Sequence, residues 1–266
     1  MPKSKRILFA ISNLTYGGIQ TQAVNLAKEF SKKGYKVYFF YIINVESDFV
    51  NEELKKNNFQ VIDGSFIKDK RLINISWKLH RYWPILKATA LLRFYRIDYV
   101  IPYQNELSYF FGAIHKYSGV RETVFHIRST VIENQPKKNW YLDRALKNKP
   151  KIVANSRHAR LKFEKIYGKK YDLETYTINN GLEIRTVDQT VNWRAYFNIQ
   201  SVDFSVSVVA NFFKEKDYLT IFKAWKGFLE TTNSNAKLLI AGDDGINGQR
   251  EFYENKVKSM GIENHV

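Results

Sequence analysis

Short apolar runs alternate along this chain with longer segments in which apolar residues recur every three or four positions. The short runs are rich in β-branched and aromatic residues and are apolar on both faces, as expected of parallel strands that helices cover on both sides. They predict strands at 6–11, 36–43, 59–62, 98–101, 123–127, 152–155, 175–178, 204–210 and 237–241.

The longer segments predict helices. From 18 to 33, apolar residues share one face, and Gly34 is a natural C-cap. Further helices are predicted at 193–199, 218–230 and 249–260. Strands separated by helices predict a doubly wound, Rossmann-like α/β domain with a parallel sheet at 1–181, a connector at 182–202, and the first part of a second, incomplete domain of the same kind at 203–266.

Charge distinguishes the two predicted domains. Residues 1–187 contain 33 Lys and Arg against 16 Asp and Glu, whereas residues 188–266 contain nine against ten. A basic field on one domain favours an anionic partner such as a phospholipid surface, a phosphorylated substrate or nucleic acid, and a merely solubilising surface is the alternative. No recognised nucleic-acid-binding module accompanies the charge, which disfavours nucleic acid.

The chain has no cysteine, which excludes disulfides and thiolate metal sites and fits a reducing compartment. The apolar run after the basic N-terminus covers only residues 7–11, which is too short for the core of a signal peptide or for a membrane span. We therefore expect a cytoplasmic protein, and the basic first domain favours a peripheral position at the inner face of the cell membrane.

Ligands of open α/β sheets bind at the carboxyl ends of the strands, so the loops there are candidate sites. The first loop, SNLTYGG at 12–18, places Gly17 and Gly18 at the start of a helix, where free N–H groups and the helix dipole attract an anion. It lacks the G-x-G-x-x-G spacing of dinucleotide sites and the lysine of a P-loop. A tight turn that needs glycine is the alternative.

Two loops of the second domain carry further candidates. Lys214 and Lys216 stand immediately before a predicted helix, where they could bind a diphosphate or simply form a solvated turn. Gly242, Asp243 and Gly245 belong to a loop that follows the next strand. The adjacent acids of this loop have no histidine or third carboxylate nearby, so we predict a nucleotide-contacting turn and no metal site.

His126 ends a predicted strand in VFHIRST, with Arg128 beside it, and both are expected at the same edge of the sheet. Arg128 is predicted to contact the acceptor or the membrane. Alternation places Val124 and His126 on one face of the strand. The pattern therefore fits two roles for His126 equally well: a buried, hydrogen-bonded structural residue or a catalytic residue. No Ser/His/Asp or His-rich metal constellation is visible in the sequence.

A basic and aromatic segment covers 68–96, where eight Lys and Arg accompany a single acid. A helix there would flank its apolar side, which includes Trp83, with Lys78 and Arg81, and such a helix could lie on an anionic bilayer. Packing of the same apolar residues on the sheet is the alternative.

Over most of its length the chain resembles the family 4 glycosyltransferases. The similar segments are the glycine loop, first helix and second strand in GGIQTQAVNLAKEFSKKGYKVYFF, the strand and Ser helix in IVANSRHARLKFEKIYG, the hinge in INNGLE, the phosphate-binding segment in VVANFFKEKDYLTIFKAW, and the strand and glycine loop in KLLIAGDDG. The resemblance implies the GT-B fold of two facing Rossmann-like domains and transfer of a sugar from a nucleotide-sugar donor with retention of configuration.

By this resemblance, Gly17 and Gly18 lie near the acceptor and the donor phosphate, and His126 contacts the transferred sugar. Lys216 holds the diphosphate, and residues 242–245 approach the nucleotide. Asn211 stands where the family has an arginine, so Lys214 is expected to share that role. The family's Glu-x7-Glu segment and its helix that returns to the first domain would lie beyond Val266, so we expect the donor site to be incomplete in this chain.

The resemblance further implies a UDP- or GDP-linked sugar as donor and a lipid-linked or anionic acceptor, as in the biosynthesis of capsule, other cell-surface polysaccharides or glycolipids. It implies an anionic membrane surface as a partner and neither a cofactor nor a metal. A non-catalytic subunit or remnant that binds a membrane or a partner through the basic domain is the alternative function.

Overall fold

A computed structural model describes residues 4–45, 47–68, 77–128, 139–182, 191–200, 203–232, 235–244 and 249–266, without the side chains of residues 49 and 77–81. The chain divides into two compact units, at 1–184 and 185–266. Among the described residues no helix is long and apolar enough to cross a membrane.

The first unit alternates strands and helices. In chain order its elements are β1 Arg6–Ala10, α1 Gly18–Lys32, β2 Lys36–Tyr41, α2 Asp48–Lys56, β3 Gln60–Asp63, α3 Trp77–Phe94, β4 Tyr99–Pro102, α4 Asn105–Ser118, β5 Glu122–Ile127, α5 Trp140–Lys147, β6 Lys151–Ala154, α6 Arg157–Phe163, α7 Lys169–Tyr171 and β7 Thr175–Thr177. A one-turn 3-10 helix, Ser65–Ile67, follows β3, and a π-helical turn, Glu164–Gly168, joins α6 to α7.

All seven described strands of this unit form one parallel sheet in the order β3-β2-β1-β4-β5-β6-β7. The chain builds outward from β1 to β3, then returns to β4 and continues on the other side. The order therefore reverses between β1 and β4, and this reversal opens a crevice at the carboxyl ends of those two strands. The structure confirms the predicted doubly wound parallel sheet.

The two faces of the sheet are covered unequally. On one face α3, α4, α5 and α6 bury residues of all the central strands, in two apolar clusters that include Leu8, Phe40 and Phe125. On the other face α1 and α2 cover β1 and β2 around Phe9 and Phe39. The α1 side of β5 and β6 has no described helix above it, and a groove lies there.

The second unit contains α8 Trp193–Tyr196, β8 Ser205–Val209, a 3-10 turn Lys214–Lys216, α9 Tyr218–Thr232, β9 Lys237–Ala241, α10 Arg250–Ser259 and a 3-10 turn Glu263–His265. Its two described strands pair in parallel. The tilted and edge-on rings of Tyr218, Phe222 and Tyr253 form an aromatic core between the sheet and the two longer helices. Every predicted strand of the chain is present, with bounds within two residues of those expected.

Candidate functional site

The glycine loop after β1 is held by side-chain hydrogen bonds. Asn13 Oδ1 accepts from Thr15 Oγ1 at 2.8 Å and from Gln20 Nε2 at 2.7 Å. Gly17 has an extended backbone (φ 178°), and no side chain caps α1. Neither Gly17 nor Gly18 has a left-handed φ, but a Cβ at Gly17 would lie only 2.9 Å from Gln20 Oε1. The uncapped helix N-terminus presents the amide groups and dipole that bind anions.

A polar cluster lies beside this loop, where β4 and β5 end. His126 and Arg128 extend from the α1 side of β5, and Tyr103 follows β4. The ring of Tyr103 contacts the His126 ring edge-on at 5.1 Å, and the Arg128 guanidinium lies 4.8 Å from the centre of the Tyr103 ring. Arg128 also donates to Asn180 Oδ1 at 3.0 Å, which ties β5 to the segment after β7.

Burial sets the protonation state of this cluster. Burial lowers the pKa of His126 to about 4, and the charge of Arg128 lowers it further, against a smaller rise from the Pro102 carbonyl. The imidazole is therefore neutral at pH 7. Burial also lowers the pKa of the Arg128 guanidinium and raises the pKa of the Tyr103 hydroxyl, yet neither shift changes their charge at neutral pH.

Two buried polar atoms at this edge have no hydrogen-bond partner among the described residues. They are His126 Nδ1 and Gln104 Oε1. Gln104 follows Tyr103, and its Nε2 donates to Ser12 Oγ at 2.6 Å, beside the glycine loop. Buried polar atoms are almost always hydrogen-bonded in folded proteins, so these two atoms are candidates for contact with a ligand or a water molecule in the crevice.

The polar cluster opens into the groove on the α1 side of the sheet. This groove has a volume of about 650 Å³, and its wall is mostly apolar, formed by Leu26, Phe30, Ile101, Val124, Val153 and Ile178. Gln22 of α1 also lines the groove, and its Nε2 donates to the Gly181 carbonyl at 2.7 Å. Asn180 and Gly181, in the predicted hinge INNGLE, are thus anchored to β5 and α1 respectively.

In the second unit, Gly242 lies where backbone segments meet. A Cβ at Gly242 would overlap the Ala210 carbonyl, so only glycine fits. The Phe212 N–H donates to the Asp243 carbonyl at 3.0 Å, and Asn211 Oδ1 accepts from the Asp243 N–H at 3.4 Å. Asn211 therefore joins the two predicted loops, and Gly245 lies outside the described residues.

Lys214 and Lys216 lie in an exposed 3-10 turn directly before α9. Neither forms an ion pair with a described residue. Asp217 follows with a left-handed backbone (φ 50°) and ends this turn. The two ammonium groups are thus available to an anion in solution.

Helix α3 buries Pro84, Ala88 and Leu92 against the sheet. Its outer side exposes large apolar residues, of which Trp83 is 49% exposed, together with Tyr82, Leu86 and Phe94. Tyr82 and Trp83 are therefore not part of the core. The side chains of Lys78 and Arg81 lie outside the described residues.

Sequence analysis missed several members of the polar cluster. Tyr103 and Gln104, Gln22, and Asn180 come from three separate segments, and only their position just after a strand or in the first helix could have indicated them. Within the described part of the chain, no group of three or more His, Asp or Glu is arranged to hold a metal ion.

A reversing parallel sheet with polar residues at its carboxyl edge, followed by a second α/β unit, is the arrangement of the GT-B fold. The chain belongs to Glycosyltransferase Family 4, whose family model matches residues 16–185. No curated protein matches the sequence.

Solved structures of glycosyltransferases share this fold. HepE from Anabaena, in complex with UDP and glucose, superposes with a TM-score of 0.69 at 15% identity, over 98% of this chain and 68% of that one. A glycosyltransferase from Rickettsia africae gives 0.71 at 16% identity, over 98% and 67%. The lipopolysaccharide outer core galactosyltransferase WaaB gives 0.64 at 17% identity, over 98% and 66%. The chain thus spans about two thirds of these structures.

Proposed function

We propose that this protein is a retaining glycosyltransferase that moves a sugar from a UDP- or GDP-linked donor to a lipid-linked or anionic acceptor in the biosynthesis of a cell-surface polysaccharide or glycolipid. The observation that carries the proposal is the pair of unpartnered buried atoms, His126 Nδ1 and Gln104 Oε1, beside the uncapped N-terminus of α1. Family membership supplies the class of reaction.

The first unit supplies the groups around the reacting sugar. A ring with a pKa of about 4 is almost entirely neutral at pH 7, so it has no proton to transfer as a general acid. The neutral His126 ring would instead hydrogen-bond a sugar hydroxyl. Arg128 and the dipole of α1 would stabilise the negative charge that develops on the leaving phosphate. Gly17 and Gly18 would let that phosphate approach the backbone.

The second unit would bind the nucleotide end of the donor. Lys214 and Lys216 would contact the diphosphate, with Asn211 as a further hydrogen-bonding group, and Gly242 and Asp243 would contact the nucleotide. HepE was solved with UDP, and an α-glucosyltransferase of the same fold was solved with UDP-glucose, which favours a uridine nucleotide. Two lysines and a helix dipole supply the positive charge, so we expect no metal requirement.

Titration with UDP and GDP tests the donor half of the proposal. Lys216→Ala should weaken UDP binding about tenfold and reduce its salt dependence, since one charge-assisted contact is lost. Lys223→Ala, at an exposed position of α9, is the matched control and should bind UDP like the unmodified chain. If neither nucleotide binds, and no nucleotide sugar is turned over, the non-catalytic alternative is favoured.

The outer side of α3 would hold the first unit on an anionic membrane. Trp83, Tyr82 and Leu86 would enter the interface, with Lys78, Arg81 and the net positive charge of the unit attracting the lipid headgroups. Trp83→Ser should weaken binding to phosphatidylglycerol vesicles about tenfold. Trp193→Ser, at the similarly exposed Trp193 of the second unit, should not, and equal binding by both variants would exclude this surface.

A further inference from the structure

A second cavity opens at the carboxyl edge of the sheet, on the face opposite the groove. It lies between α3, α4 and α5 and has a volume of about 310 Å³. We call it the α4 pocket. Its apolar wall consists of Ile42, Ile67, Pro84, Leu107 and Phe110. A cavity of this size is at the lower end of ligand pockets and holds one ring-sized group.

The polar side of the α4 pocket contains a hydroxyl that the protein leaves unpaired. Tyr109 lines the pocket and is only 6% exposed. No described residue hydrogen-bonds its hydroxyl, although its ring packs on Phe125. Burial raises the pKa of this hydroxyl, and the neighbouring Tyr167 hydroxyl and Glu106 carboxylate contribute to the rise. A ligand in the pocket could therefore hydrogen-bond this hydroxyl without displacing a protein partner.

Further hydrogen-bonding groups surround Tyr109. Asn139 caps α5 through Oδ1, which accepts from the Leu142 N–H at 3.1 Å, so its Nδ2 group remains as a donor. Lys68 Nζ and Glu106 Oε2 lie 3.3 Å apart at the pocket, and both side chains are well exposed. The pocket thus offers donors and acceptors around an apolar wall.

This combination of groups selects among ligand classes. A hydrocarbon chain would fill the apolar wall but leave the Tyr109 hydroxyl and the Asn139 amide without partners, which is costly. A free anion would meet the Glu106 carboxylate as well as Lys68. A pyranose ring has C–H faces for the wall and hydroxyls around its rim for the polar groups, and polar contacts to such hydroxyls give sites of this kind their selectivity.

We propose that the α4 pocket binds a pyranose ring of the acceptor, so that the acceptor is itself a glycan end and not a bare lipid. The proposal rests on the proposed function, in which a sugar is transferred to an acceptor, which the family resemblance places near Gly17 and Gly18 of the first unit. Pro84 of α3 forms part of the wall, next to the exposed Trp83 and Tyr82. The sugar would therefore be bound directly beside the surface that we expect to meet the membrane.

Binding of methyl pyranosides to the whole chain tests the proposal without any donor. The probes are the methyl glycosides of glucose, galactose, mannose and N-acetylglucosamine, followed by saturation-transfer NMR and titration. At least one should bind saturably. Tyr109→Phe should weaken that binding about fivefold, since one neutral hydrogen bond is lost, and should leave stability unchanged or higher.

Tyr218→Phe is the matched control. The Tyr218 hydroxyl donates to the Ala210 carbonyl at 2.5 Å in the second unit, so this variant should lose stability and keep its affinity for the pyranoside. A second variant, Asn139→Asp, keeps the helix cap and removes the amide donor, and it should also weaken sugar binding.

Three results would overturn the α4 pocket assignment: no pyranoside binds, Tyr109→Phe binds the sugar as tightly as the unmodified chain, or decanol occupies the pocket in preference to the sugars. UDP binding in the same samples separates this proposal from the proposed function. Loss of sugar binding with UDP binding intact rejects the pocket alone, whereas sugar binding without any UDP binding rejects the donor half alone.

Discussion

The candidate residues of the two units are held in opposite ways. In the first unit, His126, Tyr103 and Arg128 are enclosed by aromatic rings and by the sheet, and burial shifts their pKa values. In the second unit, Lys214 and Lys216 are exposed. The tightly constrained position there is the backbone contact between Gly242 and Ala210. One cluster is ordered by packing and the other by the course of the main chain.

This difference teaches where each cluster is vulnerable. Packed polar groups are sensitive to protonation and to changes of side-chain volume. Where backbone approach defines the site, replacing an exposed lysine should leave the fold intact, whereas a Cβ at the backbone contact should disrupt it. The two glycine loops differ in the same way. A Cβ at Gly18 would meet no atom within 4 Å and one at Gly17 would meet only the end of the Gln20 side chain, whereas a Cβ at Gly242 would meet backbone.

The largest effect is expected from Gly242→Ala. The new Cβ would overlap the Ala210 carbonyl, so β8 and β9 must separate, at a cost of about 3 kcal/mol in the free energy of unfolding of the second unit. Gly227→Ala is the matched control, because Gly227 lies in α9 with open space around it, and it should stabilise by about 0.5–1 kcal/mol. Hydrogen exchange of the amides in β8 and β9 measures both. If the β8 and β9 amides were equally protected from exchange in the two variants, the backbone contact at Gly242 would not constrain the second unit as we expect.

The next largest effect is a loss of stability in acid that depends on His126. Its pKa is about 4 in the folded protein and about 6.5 when unfolded. Below pH 6.5 the unfolded chain binds a proton that the folded chain does not, so stability falls as the pH falls, by about 2 kcal/mol between pH 7 and pH 5. Denaturant unfolding at the two pH values measures the loss.

His126→Gln should remove most of this pH dependence, because glutamine does not titrate. His158→Gln, at an exposed position of α6, is the control and should retain it. A His126→Gln variant with the same acid sensitivity as the unmodified chain would mean that His126 is not held neutral by burial.

The smallest effect is expected from Gly18→Ala. Alanine at the first position of α1 meets no clash and should stabilise the first unit by about 0.5 kcal/mol. Thermal unfolding measures this shift. A destabilisation comparable to that of Gly242→Ala would show that the two glycine loops are held alike, which would break the comparison between the units.

The fold followed closely from the sequence because its signals are local. β-branched and aromatic runs such as 36–43, and the apolar face of 18–33, mark strands and helices without reference to distant residues. The parallel arrangement followed from runs that are apolar on both faces.

The sites were less accessible to sequence analysis, for physical reasons. The clash at Gly242 arises from a main-chain contact 32 residues away in the chain, with Ala210. The neutral state of His126 depends on burial by segments from β4, β5 and α1, which no local pattern records. The α4 pocket combines residues of α3, α4, α5 and the loops after β2 and β3, and none of these residues forms a motif with its sequence neighbours.

The ends of the seven-stranded sheet have a consequence for the behaviour of the protein in concentrated solution. The edge strands, β3 and β7, are four and three residues long, and most of their residues are partly or fully exposed. Short edges with polar residues such as Gln60, Asp63, Thr175 and Thr177 offer few unpaired backbone groups to another chain. Self-association by strand addition is thereby discouraged at both sides of the first unit.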